Sequence, residues 1–107
     1  LAEMDAASLA GHFHNTYGMA IANIYQSLEQ GIRVFDSSIA GLGGCPYAKG
    51  ASGNVSTEDL YYLLSNMGYI TGIDLDALMI ASQNISQILQ RTNPSNYANA
   101  YWQKRCA

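Results

Sequence analysis

The chain has 107 residues, 49% of them hydrophobic and 12% charged, with ten glycines, two prolines and two cysteines. That length allows one small domain at most, and the apolar content excludes a disordered, collagen-like or low-complexity chain. Five Lys+Arg against eight Asp+Glu, a net charge of −3, leave no basic face to neutralise phosphates, which disfavours a nucleic-acid partner.

No apolar run approaches the roughly 20 residues needed to cross a bilayer, so no membrane partner is expected. No charged-then-apolar leader opens the chain at Leu1, so no export signal is expected either. Cys45 and Cys106 are too few for a disulfide scaffold and fit a reducing compartment.

Ser8 to His14, SLAGHFH, reads as a short buried strand with alternation at its end. Asn15, Thr16, Tyr17 and Gly18 carry turn and helix-cap chemistry. From Met19 to Gln30, Ile21, Ile24, Tyr25 and Leu28 share one helical face, and Gly31 sits where a C-terminal cap glycine belongs. Ile32 to Ser37, IRVFDS, is a second short strand. Strand, helix, strand in this order favours a right-handed parallel unit.

Ile39 to Asn54 reads as a long loop of small residues, with Gly41, Gly43, Gly44, Gly50 and Gly53 among them. Such a segment brings its backbone close to a ligand, or moves. Ser56-Thr57-Glu58-Asp59 is a capping-box pattern opening a helix with Leu60, Leu63, Leu64 and Met67 on one stripe, ended by Gly68. Asp74 caps a further helix carrying Leu75, Leu78, Met79, Ser82, Ile85, Ile88 and Leu89 on one side, stopped by Asn93-Pro94-Ser95. No pattern assigns an element to the aromatic and polar tail from Tyr97 to Ala107. Two parallel strands do not make a stable sheet, and parallel sheets need both faces covered. This order of elements belongs at the end of a larger α/β sheet or barrel, so the chain is expected to be a piece of one.

Several residues can carry chemistry. His12 and His14, two apart on a strand, project from one face and can together ligate a divalent metal. The bland alternative is one satisfied core histidine and one bystander; a position at a strand end, where barrel enzymes place their chemistry, leaves both readings standing. Cys45, between Gly44 and Pro46, is an accessible thiol usable as acid, base or nucleophile, or else a small buried hydrophobe. Asn54 is a turn residue or an oxygen donor to a metal. Glu58 reads as a dipole and cap partner in its helix's first turn. Asp36 is a buried hydrogen-bonding carboxylate or a site residue. Lys49 reads as a solvated surface lysine and Cys106 as a bystander.

Gly41 to Asn54, GLGGCPYAKGASGN, together with GHFHNTYG (Gly11 to Gly18) and FDSSIAG (Phe35 to Gly41), resembles the 3-hydroxy-3-methylglutaryl-CoA lyase family. The Gly-Gly-Cys-Pro-Tyr core followed by GASGN is specific to that family; His-x-His is shared with a wider group of metal-dependent aldolase-type and Claisen-type barrels. The resemblance implies an α/β fold, residues 1–107 being the C-terminal portion of a (β/α)8 TIM barrel: the last two strands, their helices and a helical extension. It implies an enzyme, a carbon–carbon lyase that cleaves the acyl-CoA substrate to acetyl-CoA and acetoacetate in leucine degradation or ketone-body formation. By the same resemblance His12, His14 and Asn54 hold Mg2+ or Mn2+, and His12 also moves a proton. Cys45 is the catalytic cysteine, and Glu58 lies close by and assists. Asn15 stands where many relatives carry aspartate. The full-length enzyme is expected to be a homodimer, cytoplasmic in a bacterium or in the mitochondrial matrix of a eukaryote. Two alternatives are another metal-dependent acyl-CoA aldolase or synthase of the same barrel group, and a non-catalytic fragment.

Overall fold

The computed structural model describes residues 5–44 and 53–106. Two three-residue strands, β1 (Ala10–His12) and β2 (Val34–Asp36), pair in parallel with Ala10, Gly11 and His12 opposite Val34, Phe35 and Asp36. Helix α1 (Ala20–Glu29) connects them, and α2 (Thr57–Asn66), α3 (Leu75–Leu89) and α4 (Asn96–Cys106) follow. Single 3-10 turns occupy Ala6–Ser8, Thr16–Gly18 and Ile39–Gly41.

Both strands are shorter than the 8–14 and 32–37 that the apolar runs predict: at their N-terminal ends Ala6–Ser8 is a 3-10 turn and Ile32 N–H closes helix α1 on Ser27, and a third segment intervenes at their C-terminal ends. There the strands part and residues 53–57 wedge between them. Val55 N–H donates to the Phe13 carbonyl, and Asn15 N–H donates to Gly53. On the other side Ser38 N–H donates to Val55, and Thr57 N–H donates to Ser38. The backbone groups that would have lengthened the ladder are thus satisfied by a third segment.

The sheet has one packed face and one open face. Gly11 is buried, and Phe13 and Phe35 pack with Ala20, Ile24 and Leu28 of α1 and with Val55 and Leu60. A methyl group on Gly11 would stand 2.8 Å from both phenyl rings, so glycine is what lets the two aromatics meet over β1. Ala10, His12, Val34 and Asp36 point the other way and are exposed.

Helix α1 matches its predicted span, except that Tyr25 is 48% exposed rather than on the packed face. Asn15 Oδ1 accepts from Ala20 N–H at its start. Gly31, at φ +96°, ends it by letting Gly31 and Ile32 donate back to Leu28 and Ser27. Helix α2 starts as predicted, Ser56 accepting from Asp59 N–H at 3.1 Å. Helix α3 is capped by Asp74 through Ala77 N–H. Its buried stripe stops early: Leu78, Met79 and Ser82 are buried, but Ile88 is 75% exposed and the helix closes at Gln90 in the left-handed region.

The tail is a helix that the sequence pattern did not disclose. Ser95, just before α4, accepts from Ala98 N–H and donates to Asp59 of α2, and Tyr97 N–H donates to the same carboxylate oxygen. Two of the N–H groups left open at the start of α4 therefore find their acceptors on other residues. Ala98 and Tyr101 pack on Met79. Tyr101 Oη donates to Asp76 at 2.6 Å, and the Arg105 guanidinium lies 3.6 Å above the Tyr101 ring. That hydrogen bond holds the phenol's pKa above its ordinary value. Among the described residues no helix is long and apolar enough to cross a membrane.

Candidate functional site

The parted strand ends gather the polar residues. His12, the last residue of β1, stands directly opposite Asp36, the last of β2. Its Nδ1 is 3.6 Å from Asp36 Oδ2, and both side chains are more than half exposed. His14 continues on the same side of the chain, its ring 5.3 Å from that of His12 and inclined at 69°. The residue cross-strand from His14, in an antiparallel bridge, is Asn54. Residues 40 apart in sequence are thereby adjacent, and the wedge of residues 53–57 is what joins them.

Asn54 is held from behind. Its Nδ2 donates to the Leu42 carbonyl at 2.9 Å. Its Oδ1 is buried and accepts no hydrogen bond from the described residues. Glycines permit this packing. A Cβ on Gly43 would sit 2.6 Å from Asn54 Nδ2, and one on Gly53 would run into the carbonyl oxygens of Gly41 and Gly43. Three of the loop's glycines (Gly41, Gly43 and Gly53) thus serve close approach, with Gly41 and Gly43 at positive φ.

Two imidazoles and a carboxamide oxygen without a donor fit a divalent cation. Neutral imidazole nitrogen and an uncharged oxygen are both ligands for such ions, and a buried acceptor left unsatisfied is costly unless something occupies it. Among the described residues no three His, Cys, Asp or Glu side chains form a metal cluster, so the carboxylate that a hard cation prefers is not supplied here. Beside Asn54 a cavity of about 250 Å3 opens, lined by Asn15, Gly41, Ser56, Asp59 and Arg91 among others.

Glu58 sits elsewhere than a first-turn cap reading places it. It is fully buried, and its carboxylate turns inward to accept from Ala40 N–H, Ser82 Oγ and Asn93 Nδ2. Ala40 itself is in the left-handed region at φ 56°. Glu58 therefore ties α2 to the turn that leads into the glycine-rich loop, to α3 and to the segment before α4. Sequence reading missed Ser82 and Asn93 as its partners. The available signal was a serine inside the apolar stripe of α3. Asp36 is not a buried carboxylate, because it lies on the open face of the sheet. Cys45 and Lys49 lie outside the described residues.

The HMGL-like family model matches residues 2–85. The chain belongs to the HMGL-like family. Its short parallel sheet and flanking helices are part of that family's TIM barrel. This HMGL-like chain is 58% identical over 98 residues to the 3-hydroxy-3-isohexenylglutaryl-CoA/hydroxymethylglutaryl-CoA lyase of Pseudomonas aeruginosa, covering 92% of this chain and 33% of that protein. A crystal structure of hydroxymethylglutaryl-CoA lyase from the same organism superposes with a TM-score of 0.89 at 56% identity, over 96% of this chain and 34% of that one. An HMG-CoA lyase from Acinetobacter baumannii, solved with coenzyme A and 3-methylmalate, gives a TM-score of 0.85 at 44% identity over 94% and 33%. The chain spans about a third of the length of the relatives it matches.

Proposed function

We propose that this chain is the C-terminal part of a hydroxymethylglutaryl-CoA lyase, the full-length enzyme cleaving 3-hydroxy-3-methylglutaryl-CoA to acetyl-CoA and acetoacetate. The 58% identity to a lyase of that name carries the reading. The juxtaposition of His14 with Asn54, and of His12 with Asp36, supports it at the level of the site.

His12, His14 and the unpartnered Oδ1 of Asn54 would hold Mg2+ or Mn2+, with further ligands supplied from outside this chain. Such an ion, when bound, polarises the substrate's hydroxyl and carbonyl oxygens. His12, at the strand end, would take the proton of the tertiary hydroxyl at Nε2 on leaving the ion, since a ring nitrogen that ligates has no lone pair to accept it. As acetoacetate departs, an acetyl-CoA carbanion remains, and Cys45 donates a proton to its carbon. Glu58 assists from below by pinning the turn at Ala40 from which the Cys45 loop springs. Glycines let that loop lie against the thioester and exclude water. The enzyme's partner is an acyl-CoA, and a second copy of the enzyme completes a homodimer.

The test is Cys45→Ala in the full-length enzyme, assayed for acetoacetate release beside wild type. Turnover is expected to fall by about 10²-fold or more, the range of a lost general acid, while substrate still binds. Undiminished turnover rules the thiol out. A panel including 2-oxo acids and longer-chain acyl-CoAs separates this lyase from a synthase of the same barrel group.

A further inference from the structure

The open face of the sheet carries a carboxylate that neither packing nor strand formation explains. Asp is disfavoured in strands, and Asp36 occupies the last position of β2, half in solvent, opposite His12. The parallel register puts the two side chains on the same face, and Asp36 Oδ2 faces Nδ1 of the imidazole, not Nε2, at 3.6 Å. That separation is longer than a hydrogen bond. The His12 ring also meets the His14 ring in a T-shaped contact. Asp36 is therefore the acidic group that meets the inner nitrogen of His12 among the described residues.

We propose that Asp36 is a positioning residue for His12. By accepting the Nδ1 proton it selects the tautomer in which Nε2 carries the free lone pair, and it fixes the ring plane over the strand end. A histidine that must ligate or take a proton through Nε2 works only in that tautomer. Without Asp36 the exposed ring is free to rotate and to divide between its two tautomers. The inference rests on the proposed role of His12, and it adds to the site a residue from the neighbouring strand.

The experiment measures Mn2+ affinity by electron paramagnetic resonance of the free ion in the full-length enzyme, for wild type, Asp36→Ala and Asp36→Asn, with the thermal midpoint of each recorded. Asparagine keeps an acceptor oxygen for Nδ1–H, whereas alanine keeps none. Asp36→Ala is expected to weaken Mn2+ binding by about 10–100-fold, the range for loss of a group that orients a metal-ligating histidine. Asp36→Asn is expected to retain most of the affinity. Wild-type affinity in Asp36→Ala overturns the proposal, as does equal loss in both variants accompanied by a lowered melting point, which marks a merely structural role. A wild-type enzyme that takes up no Mn2+ overturns the metal-site reading, and the role of Asp36 with it.

Discussion

Gly53 has no room for a methyl group, because the carbonyl oxygens of Gly41 and Gly43 already occupy that space. Gly53→Ala must push apart the two backbone segments that hold Asn54, and is expected to cost about 1–3 kcal/mol, as overpacking does. The check is the urea midpoint of the full-length enzyme; an unchanged midpoint contradicts the close approach. The neighbouring site residue gives a functional counterpart. His14 stands across from Asn54, and His14→Ala is expected to weaken Mn2+ binding by at least about tenfold, titrated on the same enzyme. Unaltered affinity removes His14 from the ligand set. At this scale the sequence was informative about residue types and silent about their purpose. Small residues from Gly41 to Gly53 read as close approach of the backbone to a ligand or as freedom to move. Three of them instead serve close packing, because backbone proximity between distant positions leaves no mark in a local window.

Between elements, two adjacent carboxylates do the joining. Glu58 collects one N–H, one hydroxyl and one carboxamide from three separate segments while fully buried. Asp59, the next residue, receives Ser95 Oγ and Tyr97 N–H and so seats the start of α4. Glu58→Ala leaves the Ala40 N–H and the Ser82 hydroxyl without an acceptor, while Asn93 Nδ2 keeps Ser82 Oγ, and at about 1 kcal/mol or more each the expected loss is about 2 kcal/mol. Denaturant unfolding of the full-length enzyme measures it. A purely chemical role for Glu58 predicts lost turnover with unaltered stability, so the two measurements together separate the contributions. Helix α4 illustrates why the tail gave no signal. Its apolar contacts come down to Ala98 and Tyr101 with half-buried Tyr97 and Trp102, too few to make a helical stripe, and its N-terminal acceptor lies some 36 residues away in sequence.

For the molecule as a whole, the decisive feature is a sheet of two strands with an open face. Ala10, His12, Val34 and Asp36 are exposed on it, and among the described residues each strand pairs with only the other along its length. Unpaired edges and uncovered apolar side chains invite association. The 107-residue chain by itself is expected to release no acetoacetate from the acyl-CoA and to sediment as aggregates or oligomers. Sedimentation velocity as a monomer, with a cooperative unfolding transition and measurable acetoacetate, contradicts both expectations.

Local periodicity and cap chemistry determined α1, the start of α2, the start of α3 and the order strand–helix–strand, since each depends on residues within a turn or two of one another. The same locality put His12 and His14 on one face. The glycine-rich signature and the His-x-His together pointed to the family. Only the tertiary structure decided the rest. It set where β1 and β2 end, because residues 53–57 take over the hydrogen bonds beyond them. It turned Glu58 inward, because Ala40, Ser82 and Asn93 converge there from three directions. It brought Asn54 to His14 and Asp36 to His12, because strand register is a pairing between distant segments that no single segment encodes.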